Sequence, residues 1–239
     1  MKRFWDHAEV VATPAGHTIL LDGKTVRLPG GAALHVGPAA LARAIAAEWQ
    51  AAGGAKGGEM SFADTPLTRI AGTAQERIAP DPWPTVDAIA RYGESDLLCF
   101  RADAPESLAR RQEESWQPWL EWAAEAHGAR LRVGIGVTPL RQHRDAIAVL
   151  RQAVAAFDPL GLAALGLAVP ATGSLVLGLA LAAGRLDAAA AHTLGALDEI
   201  YQAELWGEDA AAAARRQAIA AEIALAARVL ALAREPGEQ

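Results

Sequence analysis

The 239-residue sequence has a single cysteine, Cys99. One thiol excludes an internal disulfide, a thiolate zinc cage and an iron–sulfur cluster built within the chain, and makes a reducing compartment the default. Positive charge is also scarce, with 22 Lys+Arg against 28 Asp+Glu, a formal net charge of -6 and a pI near 5.5. Without a basic field to track a phosphate backbone, nucleic acid is excluded as the expected partner. The N-terminal Met1-Lys2-Arg3-Phe4-Trp5-Asp6-His7 has no apolar run of the secretory kind. Its acids Asp6 and Glu9 do not suit a mitochondrial presequence, so a cytosolic setting is expected. Residues 159–184 carry no charged side chain, and a membrane span needs only ~20 apolar residues. Pro170-Ala171-Thr172-Gly173-Ser174 splits this run into pieces too short to cross, and Gly161, Gly166, Gly178 and Gly184 suit close helix packing. A buried helical hairpin is expected there, with no stable membrane insertion.

What is present begins with period-two patterning. Residues 9–13 form a strand candidate, followed by a turn at Pro14-Ala15-Gly16. Segments 17–21 and 24–28 are joined by Asp22-Gly23 alone, a dipeptide suited to the two positive φ angles of a type I′ hairpin. Ile19, Leu21, Val26 and Leu28 then share a buried face, while Thr18, Lys24, Thr25 and Arg27 face water. Residues 34–36 add a candidate edge strand. Pro38 fits the first position of a helix carrying Leu41, Ile45, Glu48 and Trp49 at helical spacing, which Gly53-Gly54 ends. Three prolines in Pro80-Asp81-Pro82-Trp83-Pro84 mark a boundary. Beyond it the pattern is mostly helical, over 85–91, 107–128, 141–157, the hairpin, 187–206 and 209–234. Short strands at 97–100 and 131–137 are placed to pair with each other. The expected class is α+β, with a small N-terminal α+β domain (1–82) built on an antiparallel hairpin sheet. A larger, mainly helical domain (83–239) follows.

Catalytic motifs are missing. The loop 53–58 holds Lys56 but lacks the order of a phosphate-binding loop, and no strand precedes it. Gly134-Ile135-Gly136-Val137-Thr138-Pro139 starts like a dinucleotide turn but ends in a proline that blocks the required helix. Ser174 does not sit in a nucleophile elbow. The six histidines (His7, His17, His35, His127, His143, His192) include no i, i+4 pair to converge on a metal. Cys99 lies among apolar neighbours, which suits a packed core thiol. No catalytic, cofactor-binding or metal-ligating residue is therefore expected. What remains is aromatic and acidic. Trp116, Trp119 and Trp122 recur every third residue around Pro118, which implies a kink or a fresh helix start. Their stripe reads either as core or as an aromatic ridge for a partner protein. In 194–209, Leu194, Leu197, Tyr201 and Leu205 share one helical stripe, leaving Asp198, Gln202 and Glu204 mostly outside it. Gly207 ends that helix, and Glu208 or Asp209 fits the cap of the next. Capping leaves unexplained why so many acids bracket Trp206.

Several of these segments, taken in order, resemble one known family. They are Arg3-Phe4-Trp5, Leu21-Asp22-Gly23-Lys24, Ala47-Glu48-Trp49, the 65–71 segment, and Asp96 through Arg101. Gly173-Ser174-Leu175-Val176-Leu177, and Asp198-Glu199 through Trp206-Gly207-Glu208-Asp209, complete the set. The pattern is similar to that of the assembly chaperones of the ATP synthase F(1) sector that bind its α subunit (the "ATP twelve" family). Gly72 stands where that pattern has Asn, and the glycine-rich 53–58 loop replaces a more polar connection. The resemblance implies a non-enzyme without cofactor that binds the unassembled α subunit and prevents its aggregation until the β subunit joins. It implies an N-terminal α+β domain followed by a helical one, and a monomer when free. It also implies a bacterial, cytoplasmic setting, whereas eukaryotic relatives work in the mitochondrial matrix. Carried over residue by residue, the partner-binding acid is Glu208, with Trp206, Asp209 and Glu204 in the same element. The alternatives are an enzyme of unknown type with a site in the helical domain, and a membrane-associated subunit using 159–184. The enzyme requires a pocket of converging polar groups with a strongly perturbed pKa.

Overall fold

Asp22 and Gly23 take φ angles of 47° and 77°, the left-handed pair that matches a two-residue hairpin to the right-handed twist of its strands. In the computed structural model, which describes residues 1–136 and 140–234, this turn joins β2 (Gly16–Leu21) to β3 (Lys24–Thr25). β1 (Ala8–Thr13) lies on the other edge of β2, and both pairings are antiparallel, with Val10 opposite Ile19 and Leu20 opposite Thr25. Past Thr25 the expected strand thins to an isolated bridge between Arg27 and Ala33, and the 34–36 candidate to one between Val36 and His17. Gly16 permits that approach: a Cβ on it would stand 2.7 Å from the Val36 carbonyl oxygen. Ile19, Leu21, Val26 and Leu28 are buried as expected. Thr18 is not on a wet face. It is buried, and its hydroxyl donates to the Leu34 carbonyl at 2.8 Å.

α1 (Ala39–Ala51) packs on β1 and β2 through Leu41, Ile45 and Trp49. Pro38 lies one position before its expected place, as the extended N-cap residue. The Trp49 indole N–H donates to Thr68 Oγ1 at 2.9 Å, and its carbonyl accepts the Trp5 indole N–H at 3.0 Å. The two rings meet edge to face at 5.2 Å. α2 (Pro66–Thr73) receives its cap from a distant residue, since Thr65 makes no side-chain cap bond. The Glu48 carboxylate accepts the Leu67 and Thr68 N–H groups at 2.8 and 3.3 Å. Burial raises the Glu48 pKa, and those two N–H groups act against the rise. At the same, C-terminal end of α1, the buried Arg3 guanidinium donates to the carbonyls of Gln50, Ala52 and Gly54 at 2.7, 3.2 and 2.8 Å. It thereby satisfies carbonyls that a helix end leaves open, at the negative end of the dipole. In the 53–58 loop, Gly57 and Gly58 donate to the Arg3 and Ala55 carbonyls, and Lys56 pairs with Asp6 at 2.6 Å.

The chain forms two compact units. The first is Met1–Pro82 with Pro159–Ala164 and residues 228–234; the second is Trp83–Asp158 with Leu165–Ala227, over the described residues. In the second, α3 (Trp83–Ala90) leads into short 3-10 turns at Arg91–Ser95 and Leu97–Cys99. Asp96 starts the latter by accepting the Leu98 N–H at 3.1 Å, so the strand expected at 97–100 is reduced to β4 (Phe100–Arg101). β4 pairs in parallel with β5 (Gly134–Ile135), so the two segments do meet; Val137, Thr138 and Pro139 lie outside the described residues. α4 (Glu106–His127) runs unbroken through Pro118 instead of restarting there, and ends at Gly128 with φ 73°. α5 (Arg144–Ala155) is shorter than 141–157 at both ends.

The 159–184 stretch forms two helices, α6 (Pro159–Thr172) and α7 (Leu175–Ala182). The break falls at Gly173 (φ 69°) and Ser174, which leaves Pro170 inside α6. All eight residues of α7 are buried, and a Cβ on Gly178 would come within 2.4 Å of Val169 Cγ2, so the helices touch closely. Among the described residues no helix is long and apolar enough to cross a membrane. The 187–206 segment is divided into α8 (Ala188–Gly195), capped by Asp187, and α9 (Leu197–Trp206). A Cβ on Gly195 would stand 2.9 Å from the Thr172 carbonyl oxygen, and the helix breaks where the two backbones meet. α10 (Ala210–Arg234) follows. A three-stranded antiparallel sheet followed by mainly helical structure is the expected α+β class.

Candidate functional site

The α9–α10 connection holds the four residues singled out from sequence. α9 packs against α4, and the stripe differs from the expected one. Leu197 is buried and Tyr201 half-buried, with the Tyr201 hydroxyl 2.5 Å from Ser107 Oγ. Asp198, expected outside the stripe, accepts the Gln112 side-chain amide at 2.8 Å, and Gln112 is itself buried. Leu205, expected on it, is 56% exposed. Polar partners on α4 hold this face of α9, and its last apolar residues face solvent.

Trp206 is 78% exposed, the most open of the large apolar side chains described. Gly207 then turns the chain with φ 89° and ψ 161°, a geometry that disfavours a side chain. Each acid beside this indole has an intramolecular partner. Glu204 takes both Nη groups of Arg111, at 2.5 and 3.0 Å, and this pairing holds its carboxyl below the usual range. Glu208 pairs with Arg216, which also stands 3.8 Å from Glu199. Asp209 accepts the Ala212 N–H at 2.8 Å and is the cap of α10. Trp206, Glu208 and Asp209 thus form one turn, and Glu204 is tied to α4. Arg111 and Arg216, which organise these acids, did not stand out in the sequence. Only the Arg215-Arg216 pair interrupting an alanine run gave any signal of the latter.

The tryptophan stripe divides. Trp116 is core, with its indole N–H donating to the Leu194 carbonyl at 3.0 Å and the Arg101 guanidinium 5.4 Å over its ring. Trp119 and Trp122 are half-buried and meet edge to face at 6.4 Å. Trp122 also abuts the His127 ring, where burial lowers the imidazole pKa. Cys99 is fully buried, and burial, with Asp96 nearby, pushes its thiol up to about 12. Asp96 is the strongly perturbed carboxyl of the molecule's interior, raised to about 6 by burial. Its oxygens face helix N–H groups, so it serves the fold.

The family model described as the ATP12 chaperone protein matches residues 2–124. Among solved structures, Atp12 from Paracoccus denitrificans is 41% identical over 98% of each chain, with a TM-score of 0.92. An aspartate-to-lysine mutant of the same Paracoccus protein gives equal values. A candidate chaperone from Agrobacterium tumefaciens is 39% identical, with a TM-score of 0.89, over 96% of this chain and 85% of that one. The chain belongs to the ATP12 chaperone family. Membership supports a role in ATP synthase assembly.

Proposed function

We propose that this protein binds the unassembled α subunit of the ATP synthase F(1) sector and keeps it from aggregating until the β subunit joins. In this reading it acts in the bacterial cytoplasm, as a monomer when free, without catalysis or cofactor. Its working division is an α+β domain (1–82) and a helical domain (83–239), with the client contact on the latter. Trp206, Glu208, Asp209 and Glu204 form that contact. The observation that carries the reading is the exposed Leu205-Trp206 pair ringed by carboxylates at a helix break. An indole left in water at the end of a helix contributes little to the fold, whereas Trp is enriched among the residues that dominate protein interfaces. Carboxylates at its rim favour a client surface bearing Arg or Lys.

The test is Glu208→Lys beside Glu208→Gln and Trp206→Ala, scoring melting temperature and suppression of α-subunit aggregation in parallel. Co-purification of α without β from the host accompanies it. Glu208→Lys, which opposes a client cation at a desolvated contact, is expected to cost about 2–5 kcal/mol of binding, thirtyfold or more. Full suppression by the lysine and alanine variants overturns the contact. A large fall in melting temperature assigns Glu208 to folding instead.

A further inference from the structure

The chain is acidic overall, with a formal charge of -6, yet one cleft in its second unit reverses that sign. It measures about 770 Å³ and is walled by Arg91, Arg141, Arg144 and Arg151, with Glu94 the one acid among its described lining residues. Gly93 brings the Arg91–Ser95 turn onto α5, since a Cβ there would stand 3.3 Å from Leu150 Cδ1 and 3.4 Å from Ile147 Cδ1. That contact sets Arg91 across from the helix bearing Arg144 and Arg151. Arg151 is fixed, with Nε donating to Asp87 at 2.7 Å and its guanidinium 5.3 Å over the Trp83 ring. Gln142 fixes the loop carrying Arg141 by bonding both the N–H and the carbonyl of Arg132, at 2.8 and 3.0 Å. Arg91, Arg141 and Arg144 are exposed, and no side chain among the described residues forms an ion pair with them.

Like charges left unpaired around one cleft repel each other, and an anion relieves that repulsion. The lining is mixed, with Leu140 and Ile147 presenting apolar surface between the guanidinium groups. Planar guanidinium forks match carboxylates in pairs, and the apolar floor suits an aliphatic side chain between them. Guanidinium forks also match phosphate, and the apolar surface between them is what favours the carboxylate peptide over an inorganic anion. We infer that this cleft binds an acidic segment of a partner protein, in which Asp or Glu carboxylates flank an aliphatic residue. The inference uses the chaperone reading only in naming a protein as the ligand's source.

The experiment is fluorescence anisotropy of the full chain with a short labelled peptide alternating Glu or Asp with Leu. Its Gln/Asn counterpart, inorganic phosphate and ATP serve as controls. Arg91→Glu combined with Arg144→Glu is expected to weaken peptide binding at least tenfold at an unchanged melting temperature, and Arg141→Ala alone severalfold. The single alanine variant carries the test if the double reversal does not fold. Raising the salt from about 50 to about 200 mM is expected to weaken binding further. Glu208→Lys is expected to bind the peptide normally, which separates this cleft from the α9–α10 contact. Equal affinity for the amide peptide, full affinity in the arginine variants, or displacement by phosphate where chloride has no effect would each overturn the inference.

Discussion

Asp96 offers the sharpest physical test of the fold. It is fully buried, and its two oxygens accept the N–H groups of Leu98 and Val176 at 3.1 and 3.0 Å, starting a 3-10 turn and α7 together. Ser174 and Leu175 add hydrogen bonds to the same carboxyl. Burial nevertheless wins, raising its pKa from 3.8 to about 6. The folded chain therefore holds this proton more tightly than the unfolded chain does. The stability it contributes is fully present below the unfolded value and is lost as the pH rises through about 6. A rise of about two units corresponds to about 3 kcal/mol. Asp96→Asn keeps the shape and one acceptor oxygen, removes the titration, and turns an amide N–H₂ toward donors at a penalty of about 1–3 kcal/mol. Urea unfolding followed by tryptophan fluorescence, repeated between about pH 4 and pH 7, measures the difference between the two proteins. Wild type should lose about 2 kcal/mol relative to the variant over that range, since at pH 4 the unfolded carboxyl is already partly ionised. Parallel stability profiles would show that the carboxyl keeps an ordinary pKa, and the assignment of burial as the dominant effect would fail.

Trp49→Arg should destabilise the protein by about 3–5 kcal/mol, because it removes a large buried ring and leaves an ion in its place. An unchanged melting temperature would refute the burial. Gly72→Ala should also destabilise, since its Cβ would stand 2.8 Å from Leu28 Cδ2; overpacking of this kind costs about 1–3 kcal/mol. Stability at or above wild type in a denaturant titration would mean that Leu28 moves aside freely.

The N-terminal sheet was legible because its information is local. Asp22-Gly23 dictates its own turn, and the period-two pattern of Ile19, Leu21, Val26 and Leu28 sets the buried face. What the sequence hid was decided by distant parts of the chain. Thr18 is buried because Leu34 crosses it, and α2 takes its cap from Glu48 rather than from Thr65. The 187–206 segment reads as one helix until the Thr172 carbonyl occupies the space beside Gly195. Helix periodicity likewise gave no warning that Gln112 and Arg111 on α4 would hold Asp198 and Glu204. The acidic turn itself was visible as a run of residues, but the arginines that neutralise it lie outside that run, one nearly a hundred residues away and one two turns into α10.

Those arginines constrain how the proposed client contact works. The Arg216 side chain is 11% exposed, whereas the Glu208 side chain paired with it is 62% exposed. The cation is therefore the fixed member, and the carboxylate is the one that reaches water. Glu199 stays 3.8 Å from Arg216, so Glu208, the exposed member, can turn from Arg216 to a client cation without leaving the buried guanidinium unaccompanied. The same exchange yields little net electrostatic gain, because one ion pair replaces another. Affinity in the proposed contact therefore comes chiefly from desolvating Trp206 and Leu205, and the carboxylates set direction and partner choice. Glu208→Gln, which removes the charge without opposing a cation, should then weaken the contact less than Trp206→Ala does. Glu208→Lys, which places a second cation beside Arg216 and faces the client's own, should weaken it more than Glu208→Gln. If the glutamine variant is instead the more damaging of the pair Gln and Ala, Glu208 supplies the main binding energy and the indole is only its neighbour.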